Sequence, residues 1–111
     1  MITNQQLKFM EIKMLYKKRA NIVSAFQMDG ERRWDNSEWP QWLHEAWNKE
    51  SYELGALYCP RGANWLYLHT INGVLLVSWG DYIIKDKYGE LSLCGQEKFD
   101  DTYEVANRVL E

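Results

Sequence analysis

Cysteine is scarce in this chain. Cys59 and Cys94 are its only two, and they lack metal-ligand spacing, so a disulfide-rich scaffold or a zinc ribbon is excluded. Two reduced thiols half-buried in strands are expected, with a disulfide or a reactive thiol as the alternative. Proline is equally scarce, at Pro40 and Pro60. No stretch approaches the roughly 18 apolar residues of a membrane span, and the first nine residues hold no apolar core of a secretory signal. A cytoplasmic protein with no membrane partner is therefore expected. Basic excess is missing too. The net charge is −3, with a pI near 5.4, whereas nucleic-acid surfaces usually belong to domains with a pI above about 9.

Signs of catalysis are missing as well. There is no Gly-x-Ser-x-Gly, no phosphate loop, and no cysteine–histidine pair in a telling context. Gly62, Gly73, Gly80, Gly89 and Gly95 are spaced as turn glycines. The carboxylates are many, but no motif opposes two of them across a cleft. The two histidines, His44 and His69, have no partners at ligand spacing. No enzyme, cofactor or metal is expected.

What the chain does have is aromatic mass. Six Trp and seven Tyr fall in 111 residues, against ordinary shares of apolar (46%) and charged (26%) residues. A domain this size buries about two-thirds of its unfolded surface. Its core has limited room for six indoles, so some rings are expected at a contact surface.

Residues 1–16 are polar and basic, with a weak helical pattern, and read as an extension. Residues 17–106 read as one α+β domain, and 107–111 as a tail. The run 20–28 holds apolar residues on both faces and predicts a central strand ending at Asp29-Gly30. Residues 31–37 read as loop. Trp39, Trp42, Leu43, Ala46 and Trp47 then form a single helical stripe, capped by Ser37, with Pro40 tolerated in the first turn. Further strands are predicted at 54–59, 65–71, 74–78, 82–85, 90–94 and 102–106, with one helical turn at 95–101. Asn72-Gly73 signals a type I′ hairpin that pairs His69 with Leu76. One hairpin face then carries Trp65, Tyr67, His69, Ile71, Val74 and Leu76. The other carries Leu66, Leu68, Thr70, Leu75 and Val77. Both are apolar, so both are expected to be covered. The fold class is a small antiparallel β meander or partly open SH3-like barrel with one amphipathic helix packed on it.

Several segments resemble a family of small, uncharacterised bacteriophage and prophage proteins. They are His69-Thr70-Ile71-Asn72-Gly73, the run from Val77-Ser78-Trp79-Gly80-Asp81-Tyr82 to Ile83-Ile84-Lys85, then Gly89-Glu90, Cys94, Phe99 and Thr102-Tyr103-Glu104. The basic stretch Lys17-Lys18-Arg19 leading to Ala25-Phe26-Gln27 resembles the family's opening, and Trp39-Pro40 with Trp42-Leu43 its helix. The likeness covers roughly residues 14–105. Trp79 stands where the family has proline, Ser92-Leu93 where it favours tyrosine-proline, and Gly95-Gln96-Glu97 where it has lysine-proline-aspartate. The resemblance implies a phage origin and a bacterial host cytoplasm. The family brings no settled activity with it, but small acidic phage proteins without catalytic residues often act by occupying a host target or sequestering a signal molecule, so the expected target is a host protein of a defence system or a nucleotide-like signal.

The candidate binding residues are Trp65, Tyr67, His69, Trp79, Asp81, Tyr82, Tyr88, Arg61 and Lys85. The expected partner is a host protein or a nucleotide-like small molecule, and a second copy of the chain is a further candidate. Nucleic acid is the alternative partner, disfavoured by the acidic balance. Asp81 has a simpler reading, as the residue that fixes its own turn.

Overall fold

A computed structural model describes residues 22–105. The predicted extension, the start of the first strand and the tail lie outside the described residues. Six strands and three short α-helices make an antiparallel α+β fold: β1 (Ser24–Gln27), α1 (Gly30–Trp34), α2 (Gln41–Trp47), β2 (Leu57–Tyr58), β3 (Leu66–Thr70), β4 (Gly73–Val77), β5 (Tyr82–Lys85), β6 (Leu91–Cys94) and α3 (Gln96–Thr102). The strands form two three-stranded sheets, ordered β2-β3-β4 and β1-β5-β6, which meet where β3 lies beside β6. Among the described residues, no helix is long and apolar enough to cross a membrane.

The core follows the apolar patterns. Leu66 and Leu68 on β3 and Val77 on β4 point inward with Leu57, Ile83 and Leu91. Met28 joins them, and Trp39, Leu43 and Ala46 close the cluster from α2 and its approach. Trp42 and Trp47 pack against this core half-buried, so the tryptophan stripe presses on the sheets as its spacing requires.

The cap differs from expectation. Trp39 stands outside the helix, extended before Pro40, because a residue preceding proline is sterically pushed out of the helical region. Pro40 takes the N-cap position with no side-chain bond. Ser37 sits instead in a 3-10 turn, Asn36–Glu38, where its amide donates to Asp35 Oδ1 at 3.1 Å. The Ser37 hydroxyl and amide hold the Asp35 carboxyl below its ordinary pKa, so this cap is fully formed above the usual carboxylate range and loosens as the pH falls through it.

Four further expectations are corrected. Among the described residues β1 is an edge strand, not a central one. Ser24 and Ala25 are exposed, and the centre belongs to β5, whose Ile83 and Ile84 are both buried. The predicted loop 31–37 begins as helix α1. Asp29 caps it by accepting from the amides of Glu31 (3.0 Å) and Arg32 (2.7 Å), with Glu31 in its first turn and two arginines in its last.

The β3–β4 register is displaced by two residues from the predicted one. Thr70 faces Gly73, His69 faces Val74 and Tyr67 faces Leu76. Among the described residues none but glycine has a positive φ, so Asn72 does not form the type I′ turn. Ile71-Asn72 make the loop, and Gly73 takes the positive φ of 110°. The Thr70 hydroxyl fixes this arrangement: it accepts from the Asn72 amide at 3.1 Å and donates to the Gly73 carbonyl at 2.9 Å. A two-residue shift preserves parity, so each side chain keeps the face assigned to it. Finally, 103–105 is not a strand. Helix α3 continues to Thr102 and is capped by the Tyr103 amide on the Phe99 carbonyl.

Candidate functional site

The nine candidate residues do not form one site; they fall in five places. Trp65, Tyr67 and His69 share the outer face of the β2-β3-β4 sheet with Tyr58, Val74 and Leu76. Tyr58 pairs with Tyr67, which pairs with Leu76, and the two tyrosine rings lie 5.8 Å apart. The inner side of this sheet is sealed, but the outer side is open. Trp65 is 46% exposed, Val74 46%, Leu76 51%, and Ile71 at the hairpin tip 63%. The expectation that both hairpin faces are covered is thus overturned. The described helices leave this face free, α2 lying against the core and α3 following the other sheet. The bare face was the part the sequence hid: a strand apolar on both sides looks the same whether it is covered twice or once.

His69 anchors one edge of that face. Its Nδ1 lies 3.1 Å from the Ser51 carbonyl, which can only accept, so Nδ1 donates this hydrogen bond. Its backbone ties down the 51–56 segment: the Gly55 amide donates to the His69 carbonyl at 2.7 Å, and the His69 amide to the Ala56 carbonyl at 2.9 Å.

The second place is a cleft of about 320 Å³ between α2 and the 86–90 turn, where His69, Lys85 and Tyr88 meet. Trp42, Glu45 and Lys49 from α2 and its exit, together with Glu90, complete its polar and aromatic lining. The four residues contributed by α2, its exit and the turn carried no linear signal toward this site, because the cleft exists only once α2 docks against the sheets. Lys49 Nζ donates to the Leu54 carbonyl at 3.0 Å. Asp86 builds the opposite wall, its Oδ1 accepting from the amides of Tyr88 and Glu90 at 2.9 Å each. Tyr88 projects from it almost fully exposed, with Lys87 Nζ 5.2 Å from its ring centroid.

The third place, the 78–81 turn, is structural. Asp81 Oδ2 accepts from the Ser78 amide at 2.8 Å, as the local reading of Asp81 anticipated. Its backbone and that of Gly80 bond Met28 in both directions, at 2.9 and 2.7 Å. Trp79 is half-exposed, with its indole against Gly30. Asp81→Ala is expected to cost about 1 kcal/mol of stability in urea denaturation; no measurable loss would mean the carboxylate does not organise the turn. Lastly, Tyr82 stacks on Phe99 at 3.7 Å between centroids, and Phe99 on Tyr103 at 4.9 Å, which pins α3 to its sheet. Arg61 is exposed in the loop after β2, away from these contacts.

Cys59 and Cys94 are both free and half-buried. Cys94 lies in β6, while Cys59 follows β2 and its thiol donates to the Ala63 carbonyl at 3.1 Å. Among the described residues, no group of three His, Cys, Asp or Glu side chains is placed to hold a metal ion. No family model, curated protein or solved structure matches the chain.

Proposed function

We propose that this chain is a non-catalytic binding protein that engages a protein partner through the open face of the β2-β3-β4 sheet. One observation carries the reading. Tyr67, Val74 and Leu76 stand together on the outer side of a sheet whose other side is core, and Trp65 is exposed just before β3; all four are uncharged and accessible. Rigid aromatic and aliphatic groups lose little side-chain entropy on docking and release much apolar surface from water. Such contiguous patches mark interaction sites, and tryptophan and tyrosine dominate their energetics. The resemblance to phage proteins supplies the setting: a host component of a defence system, met in the bacterial cytoplasm.

The test is capture from bacterial lysate, identification of the co-purifying protein, and titration of the purified pair. Trp65→Ala is expected to weaken binding by about 30-fold or more, the hot-spot range. Trp79→Ala, in the separate turn, should leave it within a few-fold. Equal affinity for wild type and Trp65→Ala, or no specific protein recovered, would overturn the reading.

A second reading rests on the cleft. Trp42 and Tyr88 offer rings for a base, and Lys49 and Lys85 offer charge for phosphate, which suits a nucleotide-like ligand. It ranks second because Glu45 and Glu90 share the cleft and cancel both lysines. Calorimetric titration with adenine nucleotides separates the two readings, since only the second expects saturable heat that Lys85→Glu abolishes. Nucleic-acid binding ranks behind both, because the open face itself carries no lysine or arginine; it would show as steeply salt-dependent affinity.

A further inference from the structure

We propose that β4 is a self-pairing edge, and that two copies of this chain join antiparallel through Gly73–Val77 into a continuous six-stranded sheet.

Among the described residues no strand lies beyond β4, so one side of its backbone has no strand partner. What satisfies a row of free N–H and C=O groups is another strand. Three features indicate that this strand is β4 itself. First, edges are normally guarded by charge, proline or bulges, yet the chain from Ile71 to Ser78 carries no charged residue and no proline. Two such strands meet without the like-charge clash that usually forbids self-pairing.

Second, the strand is self-complementary about Leu75. A two-fold axis there places Val74 opposite Leu76 of the second copy, and Leu76 opposite its Val74, all on the outer face. Gly73, which has no side chain, falls opposite Val77 on the inner face. Third, the core is open at this rim. Leu68 is fully buried, whereas its cross-strand partner Leu75 is only half-buried. The second copy's Leu75 would lie directly across the axis and close that gap. The pairing also extends the open face, because Tyr58, Tyr67 and Leu76 of one copy continue into Val74 and His69 of the other.

Five residues of edge make a small interface, in the class of weak, reversible association. A monomer–dimer equilibrium in the micromolar range is therefore expected, not a permanent dimer. This inference concerns the strand edge and stands apart from the protein-partner reading: self-association is measured on the purified chain alone.

The experiment is sedimentation equilibrium of wild type, of Val74→Lys with Leu76→Lys, and of Val74→Glu with Leu76→Glu, with circular dichroism of each to establish folding. Wild type should approach twice the 13.2 kDa chain mass as concentration rises. Each double variant should sediment as a monomer, since its like charges face each other across the axis. Mixing the two should restore the dimer, because positions 74 and 76 of one copy then meet opposite charges at positions 76 and 74 of the other. A monomeric wild type at millimolar concentration would overturn the proposal, as would dimers that survive in either double variant or a mixture that stays monomeric.

Discussion

Trp39→Ala is expected to cost roughly 3–5 kcal/mol of the 5–15 kcal/mol that holds an ordinary domain together. Trp39 is the largest group in the core cluster, with only 6% of its surface exposed, and it joins α1 to α2. Its Nε1 donates to the Arg32 carbonyl at 2.8 Å, tying the end of α1 to the core. Its ring meets Trp47 edge-on at 5.8 Å and tilts over His44 at 5.6 Å. Trp39→Phe keeps most of the apolar contact and loses the hydrogen bond, so it should cost closer to 1–2 kcal/mol. Urea denaturation followed by circular dichroism gives both values. A loss under 1 kcal/mol for the alanine variant would mean that the indole is not seated as described.

The second large effect is a contrast on one hairpin. Leu66→Lys is expected to unfold the domain, while Leu76→Lys is expected to change stability by no more than about 0.5 kcal/mol. Leu66 is fully buried on the inner face, with no carboxylate among the core residues to meet an ammonium. Burying an unpaired charge there costs more than the domain has to give. Leu76 lies on the outer face, half of it already in water, and a lysine there can extend away. Thermal melting of the two variants decides the matter. Similar melting temperatures would mean that the outer face is covered after all, and would remove the main support for the binding reading.

The sequence conveyed face membership better than register. Alternation along 66–70 sorted the paired side chains of β3 correctly, because parity survives a two-residue slip. Asn72-Gly73 misled on the turn itself, since the Thr70 hydroxyl offered the loop a local bond that a dipeptide rule does not weigh. Asp29-Gly30 misled in the same way. Both residues suit a turn, and only the two amides gathered by Asp29 reveal a helix start. The tryptophan stripe was legible because 3.6-residue spacing is a direct imprint of burial. Its first member lay outside the helix because proline follows it.

The candidate site was half legible. Trp65, Tyr67 and His69 were recognised as neighbours on one face, but that the face is bare depends on where α2 and α3 settle, which no local pattern encodes. The cleft was less legible still. Lys85 and Tyr88 were singled out for their type, while Trp42, Lys49, Glu45 and Glu90 join them only through tertiary docking.

The latch between Met28 and the 78–81 turn bears on the order in which the chain acquires its shape. β1 is among the first described segments to leave the ribosome, yet its strand partner, β5, is among the last. Until then β1 has nothing to align with, and closing so long a loop is an entropic cost met late, whereas β3 and β4 need only their own short turn. Maturation should thus run from the middle outward, with β3 and β4 amides protected in pulse-labelled hydrogen exchange before those of β1. Simultaneous protection would point instead to a single concerted step.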